Sequence, residues 1–532
     1  MRAVPNRLLG LHFNSATVSG NMNRQPDSPS TLFGRVLSFV ERVGNRAPHP
    51  AVLFGLLLVG VVLLSHLLAW RGVSVTYERL NIETHLTEEA TTAVNSLLSA
   101  DGIRFIFTSV VSNFITFGPV GIIVVAMIGI GLAERSGLIQ ALIRKIVLVA
   151  PPSTITAIVV TLGLLSSIAS DAGYLVLIPL GATAFHSLGR HPLAGLAAAF
   201  AGVAAAFGAN FLVKPIDGIL AEMTTDAIHL VDPAASVDLM SNFYFGVASS
   251  VVLIIVCTLV SNWIVEPQLG KYEGSGTTGE SAHLSTQESR GLRFALLMLL
   301  AWIGALALLT LPAGAPLRNP ESGELIGDSP LMSSLVFLIM LTFLLTGIAY
   351  GYGSGALRGV NAMIDAISKT LADLGPLLFL FFVISQFVAY FNYSNIGTIL
   401  AVSLADVLKD ANLSSVTLLL AFLLIGVVMS IPVPNILPKW AILAPVFVPL
   451  FMKLGVDPDA VLAAYRVSDS PPNVINPLLP HFALVVGFTQ RWQKDAGVGT
   501  VVAMMLPYAA ATFIAWTALF FAWYLLDLPF GP

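Results

Sequence analysis

The sequence has little charge and a single cysteine. Of its 532 residues, 11% are charged and 56% are hydrophobic, and the mean hydropathy is +0.84. Because soluble domains carry about 25% charged residues, this composition excludes an ordinary soluble protein and predicts an all-α polytopic membrane protein. The lone Cys257 excludes an intramolecular disulfide. The net charge of −4 and the lack of a long basic run give no indication of a nucleic-acid partner.

The first 49 residues lack the apolar run of a cleavable signal peptide. They are polar and contain several arginines, so we expect 1–49 to be a cytoplasmic tail. Residues 267–291 are rich in Gly, Ser and Thr and are predicted to be a cytoplasmic linker, followed by an extra span and an external loop at 292–330. Apolar runs long enough to cross a bilayer, roughly 20 residues, lie at 50–70, within 103–134, and at 241–265, 293–312, 331–350, 373–393 and 500–526.

Two further apolar regions are interrupted by Gly, Pro and polar residues, and they resemble each other. When the sequence is shifted by 266 positions, Tyr174–Leu212 aligns with Trp440–Leu478 without a gap, with 12 identities in 39 positions. Internal repeats of this kind are typical of secondary transporters. We therefore expect a first repeat at 50–266 and a second at 331–532. The helix-breaking or polar residues that match their counterparts are Pro179, Gly189, Pro192 and Asn210.

Each repeat is predicted to hold a re-entrant hairpin followed by a broken helix. The hairpin arms are about 15 residues long, which is too short for two full crossings. The breaks fall at "FGANFLVKP" (207–215) and "SDSPPNVINP" (468–477), where prolines interrupt the helix. Non-helical backbone in a membrane survives only when it is buried in protein or lines a wet cavity. The hairpins and broken helices are placed at about 153–189 and 192–228 in the first repeat, and at about 415–454 and 458–488 in the second.

This arrangement predicts about nine transmembrane helices, because each hairpin counts as no crossing. With the N-terminus in the cytoplasm, most of the 26 Lys and Arg residues fall on the cytoplasmic side, as the positive-inside rule requires. Five crossings then separate the two hairpins. They would enter the membrane from opposite sides, so the repeats have inverted topology, and the C-terminus is external.

The motif "YRVSDSPPNVINP" (465–477), together with nine spans and two opposed hairpins, resembles the p-aminobenzoyl-glutamate transporter (AbgT) family, within the wider group of ion transporters related to divalent-anion/sodium symporters. The resemblance covers about 50–526. The family pattern is carried by Trp440, Arg466, Asp469 and Pro477 in the second repeat and by Asp171 at the first hairpin tip.

The resemblance implies a bacterial inner-membrane homodimer with an outer scaffold and an inner transport core that moves like an elevator. It also implies coupling to Na⁺ or H⁺, with no other cofactor. The implied substrates are p-aminobenzoyl-glutamate, folate-related aromatic carboxylates or sulfonamide antimetabolites. Drug efflux is the expected direction, and import of p-aminobenzoyl-glutamate is the alternative.

The hairpin tips and helix breaks carry the oxygen-bearing side chains that suit a cation. A broken helix exposes carbonyl groups at the end of one half, which favour a cation, and N–H groups at the start of the other, which favour an anion. The same Ser and Asn side chains could instead serve only as helix caps. The candidate Na⁺ ligands are Ser167, Ser170 and Asn210 in the first repeat, and Asn435, Ser468, Asp469, Asn473 and Asn476 in the second.

Charged residues inside the membrane are costly, at least ~2.5–3.5 kcal/mol each on insertion scales, and so are expected to have a role. Asp171 and Asp469 would carry a coupling proton, ligate Na⁺, or act as fixed structural partners of a nearby cation. Arg466 lies three residues before Asp469, so one helical face can hold both. Arg466 is therefore either the structural partner of Asp469 or the group that binds a substrate carboxylate.

Trp440 would stack on an aromatic substrate or serve only in packing. Lys214 and Lys439 would either contribute to the electrostatics of a substrate site or, as we expect, extend their ammonium groups to an interface, with Asp217 as the partner of Lys214. His481 is expected to be a packing residue. Two amphipathic segments, at 137–151 and 397–411, are predicted to lie along the membrane surface before the hairpins.

Two other classes of function are weaker alternatives. An intramembrane aspartyl protease would need a Gly-x-Gly-Asp pattern, which neither membrane aspartate has, and "GYGSG" (351–355) has no clear histidine partner for a serine protease. The expectation is therefore that the protein is not an enzyme. An ion channel also uses re-entrant loops, but inverted repeats within one chain converge on a single asymmetric pocket.

Overall fold

The computed structural model describes residues 50–80, 87–168, 173–272, 284–326, 329–410 and 413–532, and most of them are helical. The predicted tail at 1–49 and residues 273–283 of the predicted linker lie outside the described residues. The helices of the first half are α1 (Pro50–Trp70), α2 (Ala100–Ile115), α3 (Gly118–Arg135), α4 (Leu138–Val149), α5 (Ile155–Ser166), α6 (Ile178–Ser187), α7 (Pro192–Phe200), α8 (Pro215–Ile228), α9 (Phe243–Val260) and α10 (Glu266–Leu269).

Short π-helical turns at Gly173–Leu177, Ala201–Ala205 and Ser261–Val265 adjoin α6, α7 and α9 of the first half. The second half is also mostly helical. A 3-10 turn at Pro471–Ile475 follows α19. The helices are α11 (Thr286–Thr310), α12 (Pro330–Ser333), α13 (Leu335–Ser354), α14 (Val360–Asp373), α15 (Gly375–Tyr393), α16 (Ile396–Asp410), α17 (Ser415–Ser430), α18 (Ile436–Lys453), α19 (Pro458–Asp469), α20 (Phe482–Gln490) and α21 (Val498–Leu525).

Eight helical segments of the described chain are long and apolar enough to cross a membrane by length and composition. Seven of them contain or overlap the clean spans expected from the sequence. The eighth, α18, belongs to the second predicted hairpin and had not been counted as a crossing. The arms α5, α6 and α17 are shorter apolar helices. A polytopic helical membrane protein is thus confirmed, while the count of nine spans and the re-entrant path of the hairpins stay predictions.

A two-stranded β-hairpin between α1 and α2 was not expected from the sequence. Strand β1 (Ser74–Leu80) pairs antiparallel with β2 (Thr87–Ala93). Two asparagines fasten its base to the loop between α15 and α16: Asn95 Nδ2 donates to the Tyr393 carbonyl at 3.1 Å, and Asn395 Nδ2 donates to the Ala93 carbonyl at 3.0 Å. Asn395 has a φ of +59°, a left-handed conformation that Asn tolerates better than most residues.

Helix α4 falls within the first predicted amphipathic segment and α16 matches the second to within one residue, so both segments are helical. Their position along the membrane surface stays a prediction. Helix α11 begins at Thr286, inside the predicted linker, because Ser285 and Glu288 form a capping box. Arg144 on α4 reaches Glu288 at 2.7 Å and so ties α4 to the start of α11.

A second set of contacts ties the start of the predicted linker to the loops of the repeats. The ring of Tyr272 lies 5.6 Å from that of His186 on α6 and 5.8 Å from that of Trp492, which follows α20. Trp492 in turn lies 5.1 Å from His186, ring centre to ring centre. We call these three residues the linker-end aromatic cluster. It joins both repeats at the point where the chain enters the linker.

Helix boundaries recur at the 266-residue spacing that relates the two repeats. Helices α6 and α18 end at Ser187 and Lys453, and α7 and α19 begin at Pro192 and Pro458. These pairs are each separated by 266 positions. The local structure at the matched positions is therefore the same, as the alignment of the breakers predicts.

The turns between these helices also match in detail. The Arg190 N–H donates to the Phe185 carbonyl at 2.9 Å, and the Val456 N–H donates to the Phe451 carbonyl at the same distance. Each turn passes through a glycine with positive φ, +72° at Gly189 and +75° in its counterpart. Only glycine adopts this conformation freely, which explains why it occurs in both copies.

The packing of α3 against α13 depends on close backbone approach. A Cβ built on Gly129 of α3 would lie 2.0 Å from the Met340 carbonyl oxygen, whereas a Cβ on Gly121 of the same helix meets nothing within 4 Å.

We expect Gly129→Ala to destabilise the protein by about 1–3 kcal/mol, because backbone atoms would have to move apart. Gly121→Ala is the matched control and should be neutral or slightly stabilising, because alanine favours the helix. Thermal unfolding of the two purified variants checks this. Equal melting temperatures would contradict the close packing of α3 and α13.

Candidate functional site

The two helix breaks lie against each other in the interior. The backbone N–H of Gly208, in the first break, donates to Ser470 Oγ of the second at 2.9 Å. Arg466, at the end of α19, approaches the Gly208 carbonyl at 3.5 Å. The breaks contain prolines and polar residues that cannot continue a helix, and mutual contact satisfies part of their backbone. The breaks at 207–215 and 468–477 therefore meet in the interior of the protein.

Each break is tied to its hairpin tip by an asparagine at an equivalent position. Asn210 Nδ2 donates to the Leu164 carbonyl at 3.2 Å, and Asn476 Nδ2 donates to the Ser430 carbonyl at 2.7 Å. Asn210 and Asn476 are 266 positions apart, which is the repeat spacing, and so are Leu164 and Ser430. Each asparagine also accepts a backbone N–H two residues later. We call these two places the first and second junctions.

Arg466 does not pair with Asp469 as one interpretation of the sequence had it. Its Nη1 contacts Asp217 Oδ1 at 2.5 Å, which joins the second repeat to the first. Both side chains are largely buried, with 8% and 13% of their surface exposed. Asp217 also accepts the Lys214 backbone N–H at 2.7 Å, as part of the first turn of α8. Arg466 Nε is buried, with no partner among the described residues.

Asp469 pairs instead with Lys439. The Lys439 Nζ lies 2.8 Å from Asp469 Oδ1, and neither side chain has more than 1% of its surface exposed. Lys439 Nζ also donates to Ser430 Oγ at 2.5 Å, at the second junction. A buried charge without a partner is very costly, so Lys439 explains how Asp469 is accommodated.

Lys214 is also buried and does not extend to an interface. Its Nζ donates to the Phe207 carbonyl at 2.6 Å and approaches Ser167 Oγ at 3.4 Å. Ser167 also accepts from Asn210 Nδ2 at 3.0 Å, so Lys214 reaches the first junction. The expectation that Lys214 and Lys439 extend to the membrane surface was wrong, because both find oxygen acceptors in the interior.

A small cleft with a volume of about 30 Å³ opens beside Arg466 and Asp217. This volume holds about one or two water molecules, so a substrate could enter only after the site widened. The first break lines the cleft, Arg466 reaches it from α19 just before the second break, and Trp516 of α21 forms part of its wall. Asn242, at the start of α9, lines it as well, and its Nδ2 donates to the Asp459 carbonyl at 3.0 Å. The residues around the cleft are Gly208, Asn210, Leu212, Val213, Asp217, Leu239, Asn242, Phe243, Phe245, Gly246, Arg466 and Trp516.

Asp217, Asn242 and Trp516 are among the cleft residues that the sequence did not indicate as site residues. Asp217 had been considered only as the side-chain partner of Lys214. Its position gave a usable signal, because an acidic residue in the first turn of a helix that begins inside the membrane faces the positive helix end. Asn242 and Trp516 lie outside the repeat alignment and carried no comparable signal.

Trp440 is fully buried. It stacks on Tyr465 with ring centres 4.4 Å apart, and its Nε1 donates to Thr224 at 3.1 Å. In this state it serves in packing. Its counterpart in the first repeat, Tyr174, stacks on His481 at 4.2 Å. The expectation that His481 is a packing residue agrees with this contact.

The remaining candidates occupy different environments. Asn435 is exposed and caps α18 by accepting the Leu437 N–H at 3.2 Å. Ser468 is buried and donates to the Tyr465 carbonyl at 2.8 Å. Asn473 is buried in the 3-10 turn, and its Oδ1 has no partner among the described residues. Pro477 follows Asn476 in the second junction. Ser170 and Asp171 lie outside the described residues.

Buried paired charges, two broken helices and a cleft between repeats define a membrane transporter. The sequence profile described as the "AbgT putative transporter family" matches residues 35–532. The chain belongs to this family, as the motif at 465–477 predicts.

Relatives of known sequence or structure agree with this assignment. The chain is 34% identical over 504 residues to the p-aminobenzoyl-glutamate transport protein of Escherichia coli K12, which covers 94% of this chain and 97% of the relative. Its fold matches the YdaH transporter of Alcanivorax borkumensis with a TM-score of 0.86 and 39% identity, over 91% of this chain and all of that one. These proteins are transporters, so the expectation that the chain is not an enzyme is confirmed.

The fold also matches MtrF of Neisseria gonorrhoeae, from a class of antimetabolite efflux pumps, with a TM-score of 0.86 and 40% identity. This match covers 92% of the chain and 97% of MtrF.

The ion pairs predict a specific pattern of energetic coupling. In a double-mutant cycle, Arg466→Ala and Asp217→Ala should show a coupling energy of about 1–3 kcal/mol in thermal or denaturant unfolding, because each single variant leaves a buried charge unpaired. The cycle between Arg466→Ala and Asp469→Ala should give a smaller value, since Asp469 pairs with Lys439. A larger coupling in the second cycle would contradict the pairing described above.

Proposed function

We propose that the protein is a cation-coupled secondary transporter that binds an anionic aromatic substrate in the cleft beside Arg466. The observation that carries this proposal is a guanidinium on the cleft wall, at the contact between the two helix breaks. Arginine suits the bidentate recognition of carboxylates. Its Nε has no partner among the described residues and remains able to donate.

The charge balance around the breaks supports an anion. Among the described residues, the cluster contains three cationic side chains, Lys214, Lys439 and Arg466, and two carboxylates, Asp217 and Asp469. Of these cations, Arg466 lines the cleft, and a cation in a site of low dielectric attracts an anion. A substrate carboxylate that bound Arg466 would compete with Asp217 for the same guanidinium. Binding would therefore change the contact that joins the repeats.

The substrate class is proposed from the relatives and the cleft together. The Escherichia coli relative is a p-aminobenzoyl-glutamate transport protein, and MtrF belongs to a class of antimetabolite efflux pumps. Trp516 and two phenylalanines on the cleft wall would accept an aromatic ring. We propose p-aminobenzoyl-glutamate, folate-related carboxylates or sulfonamide antimetabolites as substrates. Efflux is the preferred direction, and import of p-aminobenzoyl-glutamate is the alternative.

The mechanism we propose is alternating access by an elevator-like motion of an inner core against a scaffold formed by a homodimer. The inverted repeats, with two opposed re-entrant hairpins, would place the breaks near the bilayer midplane. The protein would lie in the bacterial inner membrane with its N-terminus in the cytoplasm and its C-terminus outside. The coupling ion would be Na⁺ or H⁺, with Asp469 and Asp171 as the groups that respond to it.

Flux in proteoliposomes tests the transporter proposal. Wild-type protein should move labelled p-aminobenzoyl-glutamate or a sulfonamide in a saturable manner when Na⁺ and pH gradients are imposed separately. Asp469→Ala should abolish the flux while the protein still inserts, because Lys439 loses its counter-ion. Asp469→Asn keeps the shape of the side chain and is the control for a folding defect in Asp469→Ala. Normal flux in both variants at matched protein levels would refute a coupling role for Asp469.

Arg466→Ala should weaken transport of an anionic substrate more than that of a neutral sulfonamide. One lost charge-assisted hydrogen bond corresponds to about 1.5–3 kcal/mol, or roughly 10- to 150-fold in apparent affinity. Arg358→Ala removes an exposed arginine and is the control. Competition between labelled and unlabelled solutes in proteoliposomes measures the difference, and equal losses for both substrates would show that Arg466 has a structural role only.

A further inference from the structure

The two lysines in the interior come from positions that the repeat does not relate, yet they reach related places. Shifted by 266 positions, Lys214 falls on Pro480 and Lys439 falls on Gly173. Nevertheless Lys214 Nζ lies at the first junction and Lys439 Nζ at the second. The two lysines come from unrelated sequence positions but reach equivalent places. This indicates that each junction requires a positive charge.

The reason lies in the helix ends that form the junctions. Lys214 donates to the Phe207 carbonyl, just beyond the π-helical turn that ends the first half of its broken helix. Lys439 donates to Ser430, the last residue of α17. The C-terminal end of a helix carries partial negative charge and exposes carbonyl oxygens. In membrane transporters, such ends are the places where coupling cations bind.

Two of the side chains that the sequence offered as Na⁺ ligands, Ser167 and Asp469, are contacted by these lysines. Ser167 Oγ receives Lys214 Nζ and Asn210 Nδ2. Asp469 Oδ1 lies 2.8 Å from Lys439 Nζ in an ion pair. A Na⁺ ion at either junction would lie beside an ammonium group and would share its ligands. The residues present therefore do not fit Na⁺ in this state.

We infer that Lys214 and Lys439 are tethered cations that take the place of bound Na⁺ at the two junctions. Each ammonium group neutralises a helix end and holds a hairpin tip against a break. The tether makes the cation part of the chain, so its binding does not depend on the ion concentration in solution. The consequence for coupling rests on the proposed transport function, whereas the occupation of the junctions does not.

The inference predicts that removal of a lysine creates a Na⁺ site. In Lys439→Met, the Asp469 carboxylate and the Ser430 hydroxyl would be left to bind a small cation. We expect NaCl to raise the apparent melting temperature of this variant by about 1–3 °C over choline chloride of equal ionic strength, in a saturable manner. Wild type and Lys494→Met, which alters an exposed lysine, should respond equally to both salts.

Two results would overturn the inference: a saturable Na⁺-specific stabilisation of the wild type, or no Na⁺-specific response in the lysine variants. If Lys439→Met does not fold, Lys214→Met carries the test, because it keeps the pair between Lys439 and Asp469. Its response should be weaker, since the first junction offers a carbonyl and a hydroxyl but no described carboxylate.

Flux provides a second measurement. Replacement of Na⁺ by choline at a fixed pH gradient should change wild-type flux by less than about twofold, because no Na⁺ is needed to complete the junctions. A tenfold loss would contradict the inference. A wild type that moves no tested solute under any gradient would refute the proposed function instead, and the melting experiment would still decide whether the lysines occupy cation sites.

Discussion

Buried charges in an apolar protein must be matched, and this constraint organises the interior of the molecule. Arg466 of the second repeat finds its partner, Asp217, in the first. Asp469 finds its partner within its own repeat, in Lys439. Because loss of one member leaves the other uncompensated, removal of one partner costs far more here than in an exposed ion pair. Of the two pairs, the one between Arg466 and Asp217 joins the repeats. A substrate that engages Arg466 therefore acts on the joint between the repeats.

Close packing of small residues allows the charges to meet. A Cβ on Gly202 would lie 2.5 Å from the Val160 carbonyl oxygen, so the first hairpin arm touches the broken helix at this point. At the corresponding place in the second repeat, Gly426 provides the space that Ser468 fills. The glycine lies on the broken helix in the first repeat and on the hairpin arm in the second, so each contact contains a glycine. This close approach brings each asparagine within reach of its hairpin tip.

The sequence predicted the features that depend on local chemistry. Prolines and glycines located the breaks and the turn at Gly189, and the 266-residue spacing predicted that matched positions share a structure. It did not predict which charges pair, because helical periodicity relates Arg466 to Asp469 but says nothing of α8, where Asp217 lies. It misplaced Lys439, since burial of a lysine depends on acceptors brought together by folding. The β-hairpin was missed because its strands are short and polar.

The linker-end aromatic cluster sets a limit on how far the parts of the molecule can separate. Tyr272 is held against loops of both repeats, and the next described segment starts at Leu284, just before α11. Twelve peptide units connect these points and reach at most ~40 Å when fully extended. The chain between them is therefore a tether, and its length limits how far the helices packed around Tyr272 could separate from the start of α11.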